Sequence, residues 1–155
     1  MDGFKTLTDA LRRGDVVNNV RGASPAEALA SLLKTLQLPV SVDRKNLAKA
    51  LEERETLATT ALGLGFAIPH PRRRIFDREE RGLVAVAYLE HPVDWGAQDS
   101  KPASVLFLVL SGSDEQHLAL LSEIATLAES EDFRRFIASN PQKDEILAYL
   151  ASIQP

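Results

Sequence analysis

R-E-T-L-A-T-T-A-L-G-L-G-F-A-I-P-H, Arg54 to His70, is the stretch on which the reading of this chain turns. From Thr59 to Ile68 small, apolar and glycine residues alternate, which suits a short strand or a tight hairpin beside a sheet. Gly63 and Gly65 permit a sharp backbone turn. The stretch ends on a histidine held between Pro69 and Pro71, which set φ on both sides and remove two backbone donors. On local grounds a lone histidine beside prolines is more often a loop residue than a nucleophile, but one held that stiffly is usually aimed at something. Imidazole is also the side chain whose ordinary pKa lies nearest neutrality, so it can act as a nucleophile without a strong base beside it.

On either side the elements alternate between helical and strand periods. Asp15–Val20 reads as an edge strand. Ser24, Pro25 and Glu27 form a helix start, with Leu29, Leu32, Leu33 and Leu36 at helical spacing and Pro39 beyond the end. Asp43 can cap a second helix with Leu47, Ala50 and Leu51 inward. Leu83–Leu89 is rich in β-formers, and Val105–Leu110 is an unbroken apolar run, as expected of a strand covered on both faces. The segment from His91 to Pro102 is full of turn residues and reads as a loop. Three helices follow. Ser113 or Asp114 caps the first, which turns Leu120, Leu121, Ile124 and Leu127 inward. Phe133, Phe136 and Ile137 mark the second. Asn140 and Pro141 start the third, which buries Ile146, Leu147 and Leu150. Mixed strands and helices predict a single α/β domain over residues 1–155, a three-layer sandwich with a mixed central sheet flanked by helices.

Composition narrows the function. Hydrophobic residues make up 45% of the 155, enough for a core, and the formal net charge of −4 disfavours nucleic acid as a partner. With no cysteine, disulfides, thiol catalysis and cysteine metal sites are excluded. The apolar runs are too short to span a bilayer, and the stretch beginning at Met1 lacks a signal-peptide core, so a cytoplasmic protein is expected.

Arg54, Glu55, Thr59, Thr60, Leu62, Gly63, Gly65, Ala67, Ile68, Pro69 and His70 together resemble the active-site segment of the enzyme IIA family of the bacterial phosphotransferase system, in its fructose, mannitol and nitrogen-regulatory (type 2) branch. That segment reads R-E-x-x-x-[ST]-T-x-[IL]-G-x-G-x-A-[IV]-P-H-G. The last position departs, with Pro71 in place of glycine. Proline there offers no backbone N–H, and an exposed turn with few core contacts is expected for it.

The resemblance implies an α/β sandwich and a phosphohistidine carrier, with His70 phosphorylated on the ring nitrogen farther from the backbone. The other ring nitrogen must then donate to an acceptor that the sequence does not name. His117, near a helix start, resembles the family's second histidine and would orient the phosphoryl group; otherwise it is a capping or partly buried histidine. Arg54 would pair with phosphate oxygens, or else with Glu53 or Glu55 at a helix end. Thr59 and Thr60 would donate hydroxyl hydrogens to phosphate, or else simply favour a strand. Arg72, Arg73 and Arg74 would ease the approach of an acidic surface, or form a solvated loop. His91 has no assigned role. The implied partners are an HPr-type phosphocarrier and a IIB domain or regulated target; no cofactor is implied. The chain contains no IIB or membrane IIC segment, which leans toward regulation over sugar uptake. Two other classes compete: a binding module that has lost transfer, supported by Pro71, and a metalloprotein using His70 and His117, for which no carboxylate has ligand spacing.

Overall fold

The computed structural model describes residues 3–153, so Met1, Asp2, Gln154 and Pro155, and with them the ends of the expected domain and the first residues searched for a leader, lie outside the described residues. The elements are α1 (Lys5–Arg13), β1 (Val16–Val20), α2 (Pro25–Thr35), α3 (Arg44–Leu57), β2 (Ala61–Gly63), β3 (Phe66–Ala67), β4 (Leu83–Val93), β5 (Ala103–Leu110), α4 (Asp114–Glu129), α5 (Glu131–Ile137) and α6 (Lys143–Ser152), with a 3-10 turn at Glu79–Arg81.

Local chemistry accounts for most helix starts. Ser24 accepts the Glu27 N–H, and Glu27 reaches back to the Ala23 N–H at 3.0 Å. Asp43 accepts the Asn46 N–H at 3.1 Å, and Ser113, rather than Asp114, accepts the Gln116 N–H at 3.0 Å. The last helix begins later than Asn140–Pro141. Asn140 has φ 55°, which ends the preceding turn, and α6 starts from a capping box between Gln142 and Glu145.

The strands form one mixed sheet in the order β1-β4-β5-β3-β2. β1 runs parallel to β4 at one edge, β4 antiparallel to β5, β5 parallel to β3, and β3 antiparallel to β2. Period-two alternation separates two cores. Val84, Val86 and Tyr88 of β4, with Val105, Phe107 and Val109 of β5, pack against α1, α4, α5 and α6. Leu83, Ala85 and Ala87, with Leu106, Leu108 and Leu110, pack against α2 and α3. The result is the expected three-layer α/β sandwich. The Tyr88 hydroxyl donates to the Pro141 carbonyl at 2.6 Å, tying the sheet centre to the α5–α6 connection.

Two elements depart from expectation. β4 continues to Val93, so His91 lies on a strand end and not in a loop; the ladder with β5 shifts register between Tyr88 and Val93. No expectation covered α1, and its ends are satisfied from far away. Glu123 of α4 accepts the Leu7 N–H at 2.9 Å, and Lys143 of α6 donates to the Arg12 and Gly14 carbonyls at 2.8 and 2.7 Å. No helix among the described residues is long and apolar enough to cross a membrane.

The chain leaves α1 at Gly14, where a Cβ would lie 1.8 Å from the Val84 carbonyl oxygen. Backbone on both sides leaves nothing to yield. Gly14→Ala is expected to destabilise the protein by about 1–3 kcal/mol or more, the usual cost of overpacking. Urea unfolding checks this as a lowered midpoint.

Candidate functional site

β3 and β5 are parallel, so both leave the sheet at the same end. The pairing continues past β3, because the Pro69 carbonyl accepts the Val109 N–H at 2.9 Å. One residue later comes His70. On the neighbouring strand, Ser111, Gly112 and Ser113 lead into α4, whose fourth residue is His117. Strand ends of this kind are the usual place for a site in an open α/β sheet. The two imidazole rings lie 4.9 Å apart between centroids, inclined at 62°. The residues singled out as two histidines distant in sequence are thus neighbours.

The His70 ring is oriented by its own loop. Its Nδ1 is 2.8 Å from the Ile68 carbonyl oxygen. A carbonyl can only accept, so Nδ1 carries the hydrogen and Nε2 keeps its lone pair. The acceptor that the sequence could not name is therefore a backbone group two residues upstream. Partial burial lowers the pKa of His70 below its ordinary 6.5; the bond to Ile68 opposes this, the Arg54 charge and His117 add to it, and Glu55 opposes it.

His117 is also partly buried, and burial lowers its pKa as well, with Asp114 acting against the shift and Arg54 with it. Its backbone N–H donates to the Ser113 carbonyl at 3.0 Å, and its Nδ1 lies 3.4 Å from Ser111 Oγ. Both histidines are held neutral near pH 7, beside the positive end of α4.

Arg54 occupies the last turn of α3 and donates from Nη1 to the Ala58 carbonyl at 2.7 Å. Among the described residues no ion pair joins it to Glu53 or Glu55. Glu55 instead receives the Thr60 hydroxyl and, at 3.1 Å, the Thr60 N–H. Thr60 Oγ1 in turn accepts from Trp95 Nε1 at 3.2 Å. Thr59 donates its hydroxyl to the Trp95 carbonyl. Both threonine hydrogens are therefore committed inside the protein in this conformation. Trp95 was given no role from sequence, and Glu55 only that of an alternative partner for Arg54. Glu55 stood in the decisive segment, but its contact with Thr60 depends on the bend after α3.

Pro71 is buried, contrary to the exposed turn expected of it. It sits under the loop carrying Arg72, Arg73 and Arg74 and lines a recess of about 310 Å³ together with Ser111, Asp114 and His117. Arg74 Nη1 and Asp114 Oδ1 are 3.6 Å apart, with side chains 44% and 90% exposed, so this pair is weak and readily exchanged. His91 lies at the end of β4 beside Glu90, outside the site. Among the described residues no three metal-ligating side chains cluster.

Comparison with known proteins identifies the family. Residues 10–153 match the family model described as the phosphoenolpyruvate-dependent sugar phosphotransferase system, EIIA 2. The chain is 32% identical over 152 residues to a nitrogen regulatory protein of Pseudomonas aeruginosa, covering 96% of each. It is 34% identical over 113 residues to the fructose-specific EIIA component of Haloferax volcanii, covering 72% of this chain and 71% of that one. Among solved structures, the nitrogen regulatory protein IIA-Ntr of Neisseria meningitidis superposes with a TM-score of 0.76 at 25% identity, over 92% of this chain and 97% of that one. Family match, relatives and fold converge: the chain belongs to the type 2 EIIA family of the phosphotransferase system and is a phosphotransfer protein of that kind.

Proposed function

We propose that the domain formed by residues 1–155 carries a phosphoryl group on Nε2 of His70, accepted from an HPr-type phosphocarrier. The observation that supports this best is the Nδ1–H bond to Ile68, which leaves Nε2 as a lone pair on a neutral ring. In the step, that lone pair attacks the phosphorus of the donor's phosphohistidine. The donor's P–N bond breaks, and its electron pair returns to the donor imidazole. Little covalent help is needed, so positioning and charge neutralisation dominate. His117 orients the phosphoryl oxygens from the adjacent ring, and Arg54 supplies positive charge beside both histidines. Thr59 and Thr60 act in this reading as braces, and would contact phosphate only after giving up their present partners. Transfer onward goes to a regulated target or a IIB domain in the cytoplasm. The near full-length match to a nitrogen regulatory protein favours regulation. Pro71 favours a second reading, a binding module without transfer, since it offers no N–H beside the phosphoryl group.

Incubation with phosphoenolpyruvate, enzyme I and an HPr-type protein should add one phosphoryl mass to the intact chain. His70→Ala should abolish the addition, and acid should release it from the wild type. Labelling that persists in His70→Ala would place the acceptor elsewhere.

The lowered histidine pKa values make a second test. In the folded protein His70 and His117 should titrate with midpoints below 6.5, read from their Hε1 proton resonances. The folded site refuses protons that the unfolded chain accepts, so stability should fall as pH drops below 6.5 towards the folded midpoints.

Because Pro71 is buried, Pro71→Gly should cost about 1–2 kcal/mol through lost burial and a freer unfolded chain. If the missing N–H limits transfer, acceptance should at the same time rise by roughly tenfold, the kinetic worth of one hydrogen bond to a charged group. Thermal unfolding and acceptance kinetics measure the two effects separately.

A further inference from the structure

A line of hydrogen bonds runs from α3 to the His70 ring through three chain segments. Both oxygens of Glu55 accept from Thr60, one from its hydroxyl and the other from its N–H at 3.1 Å. The Thr60 carbonyl accepts the Ile68 N–H at 2.9 Å. The Ile68 carbonyl accepts Nδ1–H of His70 at 2.8 Å. Trp95 closes the line from the other side, donating Nε1–H to Thr60 Oγ1 at 3.2 Å. Thr60 is 7% exposed and Trp95 3%.

We propose that Glu55 is a positioning residue for phosphoryl acceptance: through Thr60 and Ile68 it holds the His70 ring in the tautomer that leaves Nε2 free. The proposal rests on the reading of His70 as acceptor and adds to it a residue that never touches the phosphoryl group.

Three features carry it. First, the direction of each bond is determined. Trp95 Nε1 can only donate, so Thr60 Oγ1 accepts there and spends its one hydrogen on Glu55. Glu55 then accepts from two donors of one residue, one on each carboxyl oxygen. Second, the element that presents the Thr60 carbonyl is weak by itself. β2 has three residues, lies at the sheet edge, and pairs only with the two-residue β3. Short edge strands open at low cost, and Glu55 takes two donors at the entrance of this one. Third, a histidine tautomer is set by what the non-reacting nitrogen bonds, so the placement of the Ile68 carbonyl decides which nitrogen is nucleophilic.

The test uses the full chain with Glu55→Gln, Thr60→Val and Thr60→Ser. Imidazole ¹⁵N shifts at pH 7.5 report the His70 tautomer. Single-turnover acceptance from a phosphorylated HPr-type donor reports reactivity, and Trp95, the one tryptophan in the chain, reports the brace by fluorescence. In Glu55→Gln the amide nitrogen opposes one of the two Thr60 donors. The Nε2–H tautomer should then grow and acceptance should fall about tenfold or more, as for other partners that orient a reactive histidine. Thr60→Val should repeat the defect, and Thr60→Ser should restore wild-type behaviour. Should Glu55→Gln fail to fold, the valine and serine variants answer the same question. A folded Glu55→Gln or Thr60→Val protein with unchanged tautomer and unchanged acceptance overturns the proposal, even if it melts earlier, because Glu55 then only holds the hairpin. If the wild type takes no phosphoryl group while the variants still shift the tautomer, the brace stands and the carrier reading falls.

Discussion

Parallel pairing of β3 with β5 is the constraint on which the site depends. The register Phe66↔Val105 and Ala67↔Leu106, extended by the Val109–Pro69 bond, sends both strands out of the sheet at one end. His70 follows one strand and His117 opens the helix after the other, so the pair is assembled by backbone geometry before any side chain is chosen. An antiparallel β3 would carry its exit, and His70, to the opposite end of the sheet. The two-sided core supports this arrangement. Alternate residues of β4 and β5 are buried on both faces, which leaves the sheet no freedom to slide without exposing one of its two apolar sets.

The electrostatics of the site follow from its half-burial. Burial and Arg54 both disfavour imidazolium at His70 and at His117, so the two rings can stand 4.9 Å apart without mutual repulsion. In the proposed reading, an anion arriving at this neutral pair, beside a guanidinium and a helix N-terminus, need not displace charge already present. The surrounding ion pair is of the weak, exposed kind: Arg74 and Asp114 meet at the rim, where solvent screens them. The Arg74–Asp114 pair at the rim is thus adjustable, whereas Arg54 acts on both rings from the end of α3.

Much of the fold was legible because its determinants are local. Ser24, Asp43 and Ser113 cap the helices they precede, and the run Val105–Leu110 is buried on both faces as an unbroken apolar run should be. α1 was not legible, since its terminal groups are satisfied by Glu123 and Lys143, over a hundred residues away. The extension of β4 to Val93 was hidden by turn-forming residues that a register shift beside β5 accommodates. Thr59 and Thr60 read as phosphate donors because hydroxyls are generic; only the position of Trp95 and Glu55 shows where their hydrogens go.

The site divides along the same line. The sequence by itself determined the histidine between two prolines, the flexible glycines before it, the arginine at the helix end and the family to which they belong. These are matters of residue type at fixed spacing, which chain-local sterics and hydrogen bonding read directly. Tertiary structure alone decided that His117 meets His70, that Pro71 is buried, and that Glu55 reaches Thr60. It also decided which nitrogen of His70 is free. The meeting of the histidines and the burial of Pro71 depend on distances between segments that sheet pairing and core packing set, while the Glu55–Thr60 and Ile68–His70 bonds lie within one segment but need its bends, which residue type alone does not encode.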